Sequence, residues 1–177
     1  SALAVLGLSL WVILGLYTGP WEAALPWFSI GSLEFSVGYF LNPPALLLLG
    51  IVSFLGFWVQ IFSIGYLHQD ASLGRYFAGI SFFTFAMLGI VLARNLWMIF
   101  FFWEWVGLGS YALIAHYWQL PAAALASRKA FIFNRVGDVG FLLGILACYS
   151  HYGTVDLIAL AHQLKALDSA HSQPTLG

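Results

Sequence analysis

Long apolar runs separated by brief polar breaks dominate the chain. A spanning helix needs roughly 20 mostly apolar residues, because it rises 1.5 Å per residue across a hydrocarbon core about 30 Å thick. The runs Ala2 to Tyr17, Pro43 to Leu67, Tyr76 to Ala93, Leu96 to Trp118 and Ser127 to Tyr152 read as such spans. Gly19-Pro20 closes the first. Pro43-Pro44 opens the second, at a place where a missing N–H is harmless. Between them, Pro26, Gly31-Ser32 and Gly38 punctuate Glu22 to Asn42, and Leu33, Phe35, Val37 and Tyr39 alternate at period two. That alternation predicts a short hairpin on one membrane face, turning near Gly31-Ser32. His68 to Arg75 reads as a polar loop and Arg94-Asn95 as a short break. After Tyr152, Leu157, Leu160, Leu164 and Leu167 share a helical face opposite Asp156, Gln163, Lys165 and Asp168, which suits a helix lying in the interface plane. Ser169 to Gly177 is polar and reads as unstructured.

The pattern predicts an all-α membrane protein: a polytopic bundle of about five transmembrane helices, a short β-hairpin-like loop and a C-terminal interfacial amphipathic helix. Lipid admits only helices or a closed barrel, and the long unbroken runs exclude the barrel. By residue, 1–19 forms a transmembrane helix, 20–42 the extramembrane hairpin loop, 43–152 a four-helix transmembrane part, and 153–177 the amphipathic helix with a polar tail. Arg75, Arg128 and Lys129 fall on one side, and Arg94 and Lys165 on the other. Loop charge therefore places the first side in the cytoplasm or matrix and the hairpin opposite.

Composition narrows the function. Of 177 residues, 62% are hydrophobic and only 7% charged, against roughly a quarter charged in soluble domains. A net charge of -1 without any Lys/Arg stripe excludes nucleic acid as a partner. The single Cys148 cannot form an internal disulfide and reads as a small core hydrophobe. His151, His162 and His171 have no metal-site spacing, and there is no nucleophile elbow, phosphate loop or cysteine cluster. No cofactor or metal is expected on this chain. A basic n-region for a cleavable signal peptide is also missing. The chain opens on Ser1 rather than Met, consistent with a missing or removed N-terminal piece.

The chemistry centres on two carboxylates. Glu104 lies eight residues into the fourth run, about 12 Å deep by helical rise, and Asp138 lies at a similar depth in the fifth. Acidic groups at membrane depth are costly and tend to be functional. Burial favours the protonated form of a carboxylic acid and a nearby cation favours the ionised form, so such a group can load or release a proton as a cation moves. Moving one charge through about 200 mV takes about 4.6 kcal/mol, a size such environments supply. Arg135 and Asn134 precede Asp138 by three and four residues and share its helix face. Lys129 reads as a loop residue that snorkels or as a tuning group, and His116, at the end of the fourth run, as a relay or a tolerated interfacial histidine. Gly107, Gly109 and Ser110 thin one surface of the fourth helix for packing.

The stretch Phe102-Trp103-Glu104-Trp105-Val106-Gly107-Leu108-Gly109-Ser110-Tyr111, followed by Lys129-Ala130-Phe131-Ile132-Phe133-Asn134-Arg135-Val136-Gly137-Asp138, resembles the antiporter-like subunit 5 of proton-pumping NADH:quinone oxidoreductase, respiratory complex I. Phe62-Ser63-Ile64-Gly65-Tyr66 and Tyr152-Gly153-Thr154 add to the likeness. Trp105, Arg94 and Asn42-Pro43-Pro44 depart from the family pattern.

The resemblance implies helices two to six of a longer bundle, with Glu104 as the membrane-centre glutamate and Asp138 as the aspartate of the Arg-Val-Gly-Asp segment. It implies proton translocation through Glu104, Asp138, Arg135 and His116, with Lys129 and Asn134 tuning. A seventh-helix lysine would come from a further chain or segment. NADH, FMN, iron-sulfur clusters and quinone would sit in partner subunits, with other membrane-arm subunits and lipids as neighbours. The Asn-Arg-Val-Gly-Asp form points to an inner mitochondrial membrane, or else a bacterial plasma membrane. The large subunit of a multisubunit Na+/H+ antiporter and a non-transporting assembly piece are the alternative readings.

Overall fold

The computed structural model describes residues 2–16, 19–30, 33–70 and 72–171. Helix α1 (Ala2–Trp11) continues as a π-helical turn, Val12–Leu16. Strands β1 (Trp21–Ile30) and β2 (Leu33–Leu41) follow, then α2 (Pro43–Tyr66), α3 (Leu73–Leu92), α4 (Leu96–Ile114), α5 (Pro121–Tyr152) and α6 (Leu157–His171). Among the described residues, α2 to α5 are each long and apolar enough to cross a membrane. The first apolar segment is helical from Ala2 to Leu16, α-helical only as far as Trp11, and Tyr17 lies outside the described residues.

Neighbours in sequence are neighbours in space: α1 packs on α2, α2 on α3, α3 on α4 and α4 on α5. Short connections force each helix to run antiparallel to the last. The hairpin, the α3–α4 connection and the start of α6 therefore share one end of the bundle, and the α2–α3 and α4–α5 connections the other. Glycine sets the tightest approach. A Cβ on Gly109 would touch Phe82 and Phe83 of α3 at 3.4 Å, and one on Gly89 would overlap the Phe102 ring. Trp105 joins Phe82, Phe85, Phe101 and Phe102 in an aromatic wall between α3 and α4.

Asn42 starts the next helix. Its side chain accepts the Ala45 N–H and caps α2 just ahead of the two prolines. Leu41, Ala45 and Leu46 form a small core beneath the hairpin, with Val12, Trp21, Val91 and Leu92 packed against it. Most other large apolar side chains of α2 and α5 face outward, as lipid-facing positions do.

The hairpin is antiparallel, and its expected Gly31-Ser32 turn lies outside the described residues. Its register slips between Pro26 and Phe28, where proline cannot donate to a ladder. At Gly38 a Cβ would overlap the Ala23 carbonyl oxygen, with no flexible side chain to yield. Gly38→Val should therefore cost about 2 kcal/mol by overpacking and raise proteolytic cleavage in the hairpin. Gly19→Ala, where a Cβ meets nothing within 4 Å, should leave cleavage unchanged.

Several boundaries differ from the sequence reading. Helix α5 starts at Pro121 rather than Ser127, because Pro121 takes an early helical position and three alanines carry the helix on. Lys129 is therefore a residue of the helix and not of a loop. Helix α4 ends at Ile114, and the chain turns through His116 to Gln119. Helix α6 runs to His171, so Ser169 to His171 are helical, while 172–177 lie outside the described residues. Leu160 is buried beneath α6, whereas Leu164 and Leu167 are half exposed.

Candidate functional site

Helices α4 and α5 face each other with three charged side chains between them. Arg135 Nη1 pairs with Glu104 Oε2 across the interface, and the same nitrogen lies 3.7 Å from Asp138 Oδ2, one turn along its own helix. Glu104 is largely covered and Asp138 is buried. Arg135 thus bridges two carboxylates, where the sequence had tied it only to the nearer one.

Surrounding groups fix this cluster. Trp103 Nε1–H donates to Asp138 Oδ1 at 3.0 Å. The Arg135 guanidinium lies 4.6 Å over the Phe131 ring, a cation–π geometry, and Phe131 in turn packs against Tyr111 of α4 at 5.3 Å. Beside the cluster is a cavity of about 510 Å³ lined by Trp103, Gly107, Ser110, Asn134 and Asp138 among others. Gly107 serves this space: a Cβ there would come within 4 Å of the Arg135 and Asn134 side-chain nitrogens. Of the two glycines read as packing residues, Gly109 packs on α3 and Gly107 opens towards the cluster.

Lys129 does not join it. Its ammonium lies 5.9 Å from the centre of the Phe133 ring on the outer part of α5. His116 is also apart: α4 runs ten residues, about 15 Å of helical rise, beyond Glu104 before it ends at Ile114, and His116 follows in the turn after it. Its Nε2 instead lies 2.9 Å from Asp70 Oδ2. The Ser72 N–H, then His116 and Tyr117, hold the Asp70 carboxyl below its usual range, while the Asp70 bond raises the Tyr117 phenol.

At the opposite end, Arg94 ties three elements together. Its Nε donates to Asp156 Oδ2 at 2.8 Å, and Nη1 lies 3.3 Å from Glu22 Oε2 of β1. Asp156 also accepts the Ile158 and Ala159 N–H groups at the start of α6. Burial raises the Asp156 pKa, but the Arg94 bond and those two N–H groups outweigh it and leave the carboxyl below the usual aspartate value. Asp156 thus stabilises the docked α6 above pH 3.8 and loses that effect as pH falls through its lowered folded-state value. Protection of the 157–171 amides from hydrogen exchange, taken relative to the intrinsic rate at each pH, should fall below pH 3.8, and Asp156→Asn should show the reduced protection already at neutral pH. Unchanged exchange in that variant would count against the Arg94 clasp.

Sequence reasoning missed Trp103, Phe131, Asp70 and the Glu22–Arg94–Asp156 clasp. Only Asp156 left a local signal, an acidic residue just ahead of an apolar helical run.

Residues 27–77 match the family described as NADH-Ubiquinone oxidoreductase (complex I), chain 5 N-terminus, and residues 93–176 match NADH:quinone oxidoreductase/Mrp antiporter, TM. The chain belongs to the antiporter-like subunit 5 family. This subunit 5 family member is 42% identical over 149 residues to the chloroplastic NAD(P)H-quinone oxidoreductase subunit 5 of Zygnema circumcarinatum, covering 82% of this chain and 21% of that protein. With NADH-quinone oxidoreductase subunit L of Neisseria meningitidis it shares 41% identity over 133 residues, covering 75% and 20%. The chain therefore spans about a fifth of the length of these curated relatives. It also superposes on the Mrp complex from Dietzia sp. with a TM-score of 0.76 at 25% identity, over 88% of this chain and 17% of that one. Multi-pass membrane location follows from the spans and the family. The relatives are chloroplastic and bacterial, so they do not single out the mitochondrial inner membrane.

Proposed function

We propose that this chain forms the proton-translocating part of a membrane-arm subunit in a complex I type NADH:quinone oxidoreductase, with Glu104 as the group that binds and releases the proton. The observation carrying this reading is the Glu104–Arg135–Asp138 cluster between two spanning helices. Two carboxylates and one guanidinium carry a net charge of minus one when all are ionised. One bound proton makes the cluster neutral, the state that apolar surroundings favour. A second cation arriving from a neighbouring segment, such as a lysine on a further helix, would displace that proton. Withdrawal of the cation would draw one back. Arg135 holds the pair together, Asp138 shares its charge, and Asn134 and Ser110 line the adjoining cavity.

Electron transfer would take place in partner subunits holding NADH, FMN, iron-sulfur clusters and quinone. The membrane would be an energy-coupling one, mitochondrial or bacterial among the options, with lipids and other membrane-arm subunits as neighbours. The Mrp likeness over residues 93–176 and in the solved fold favours a second reading, a subunit of a multisubunit Na+/H+ antiporter.

Gentle solubilisation, isolation of the chain with its partners and mass spectrometry separate the two. The first reading expects flavin- and iron-sulfur-bearing subunits and a lysine-bearing helix in the same assembly. An assembly without redox subunits would overturn it in favour of the antiporter.

A further inference from the structure

At the end of the bundle away from the hairpin, a cavity of about 260 Å³ opens between the start of α3 and the end of α4. Arg75, Tyr76 and Gly79 line it from α3, and Leu113, His116 and Trp118 from the other side. Gly79 lets the two helices approach, since a Cβ there would already be 3.1 Å from Leu113. The floor is apolar and the mouth is cationic.

Arg75 is the unusual member. Its Nη2 donates to the His116 carbonyl at 2.7 Å, yet no carboxylate lies within ion-pair distance of it among the described residues. Asp70, the nearest acid in sequence, is already occupied: Oδ1 accepts the Ser72 N–H and Oδ2 faces His116 Nε2. Among the described residues the guanidinium is left exposed and without a counter-charge at the end of a span, the depth at which headgroups lie. Trp118, which lines the cavity, is 58% exposed, and its chain neighbour Tyr117 is 51% exposed, a composition suited to the membrane–water boundary. Arg128 and Lys129 add positive charge on the same side of the bundle.

We propose that this cavity binds an anionic phospholipid of the surrounding bilayer, with its phosphate on Arg75 and an acyl chain along Gly79 and Leu113. A guanidinium fork matches a phosphodiester in geometry and charge. The apolar floor matches a lipid tail and offers a free inorganic anion nothing. A lipid seated there would brace the α2–α3 and α4–α5 connections against each other.

The test uses the full chain in phosphatidylcholine nanodiscs doped with photo-crosslinkable phosphatidylglycerol or, separately, photo-crosslinkable phosphatidylcholine. Peptides containing Arg75 and Trp118 should be labelled about fivefold more by the anionic probe, the preference one surface-near arginine supplies. Arg75→Gln should abolish that preference, Arg75→Lys, which keeps the charge but not the fork, should keep only part of it, and Arg128→Gln should keep most of it. Equal labelling of the native chain by both probes would overturn the proposal without recourse to any variant. So would a preference that survives in Arg75→Gln, or one that excess inorganic phosphate removes, which would mark a free-anion site.

Discussion

Glu104→Gln should lower proton movement in the reconstituted assembly by about 100-fold, the scale on which a positioned proton-transfer group contributes. Glutamine keeps the shape and a hydrogen-bond acceptor for Arg135 but cannot take up or release the proton. The assembly should therefore remain intact, with α4 against α5, while translocation stops. Reconstituted liposomes carrying an internal pH dye, driven by the native electron donor, measure this directly. Glu104→Asp, which keeps the carboxyl but withdraws it by one methylene, should retain a fraction of the native rate. If Glu104→Gln moved protons as fast as the native protein while removal of the whole chain disrupted the complex, the chain would be an assembly element.

Arg135→Met should destabilise the bundle by about 3 kcal/mol, because two carboxylates between α4 and α5 would lose the only cation that touches both among the described residues. Methionine has a similar reach, so most of the loss reflects uncompensated charge rather than an empty space. Arg135→Met combined with Glu104→Gln should recover a substantial part of that loss, since one of the stranded charges has been removed. Asp138 would still keep the Trp103 indole as a donor. Detergent titration of unfolding, followed by helix circular dichroism for the two single variants and the double, measures the coupling. Strictly additive effects would mean that Glu104 and Arg135 do not form the pair described.

The spans were legible in the sequence because lipid imposes one requirement, a long apolar helix, that composition alone reveals. Their ends were less so. The start of α5 hides because Arg128 and Lys129 resemble loop residues, although Pro121 and the alanines after it already form helix. The end of α4 hides because His116, Tyr117 and Trp118 are as aromatic as the span before them. The hairpin showed through its period-two alternation, but the register slip at Pro26 depends on pairing that one strand cannot disclose.

The candidate site divides in the same way. That Arg135 and Asp138 share a helix face follows from spacing within α5. That Arg135 reaches Glu104 depends on how α4 and α5 are rotated against each other, which periodicity within either helix does not set. His116 shows the same limit: its position near the end of α4 suggested a relay, and its neighbour Asp70, at the bundle's end, comes from another connection that no local pattern announces. The Arg94 clasp spans 72 residues between Glu22 and Arg94 and 62 between Arg94 and Asp156 by subtraction of their positions. No local pattern could have linked its members.

The central claim is that Glu104 changes protonation as the protein works. Infrared difference spectroscopy of the reconstituted assembly, comparing the resting state with steady turnover, observes that change through the carbonyl stretch of a protonated carboxylic acid. The account predicts a carboxylic-acid band that changes on turnover in the native protein and is missing from the difference spectrum of Glu104→Gln. The same band persisting in Glu104→Gln, with proton movement intact, would contradict it.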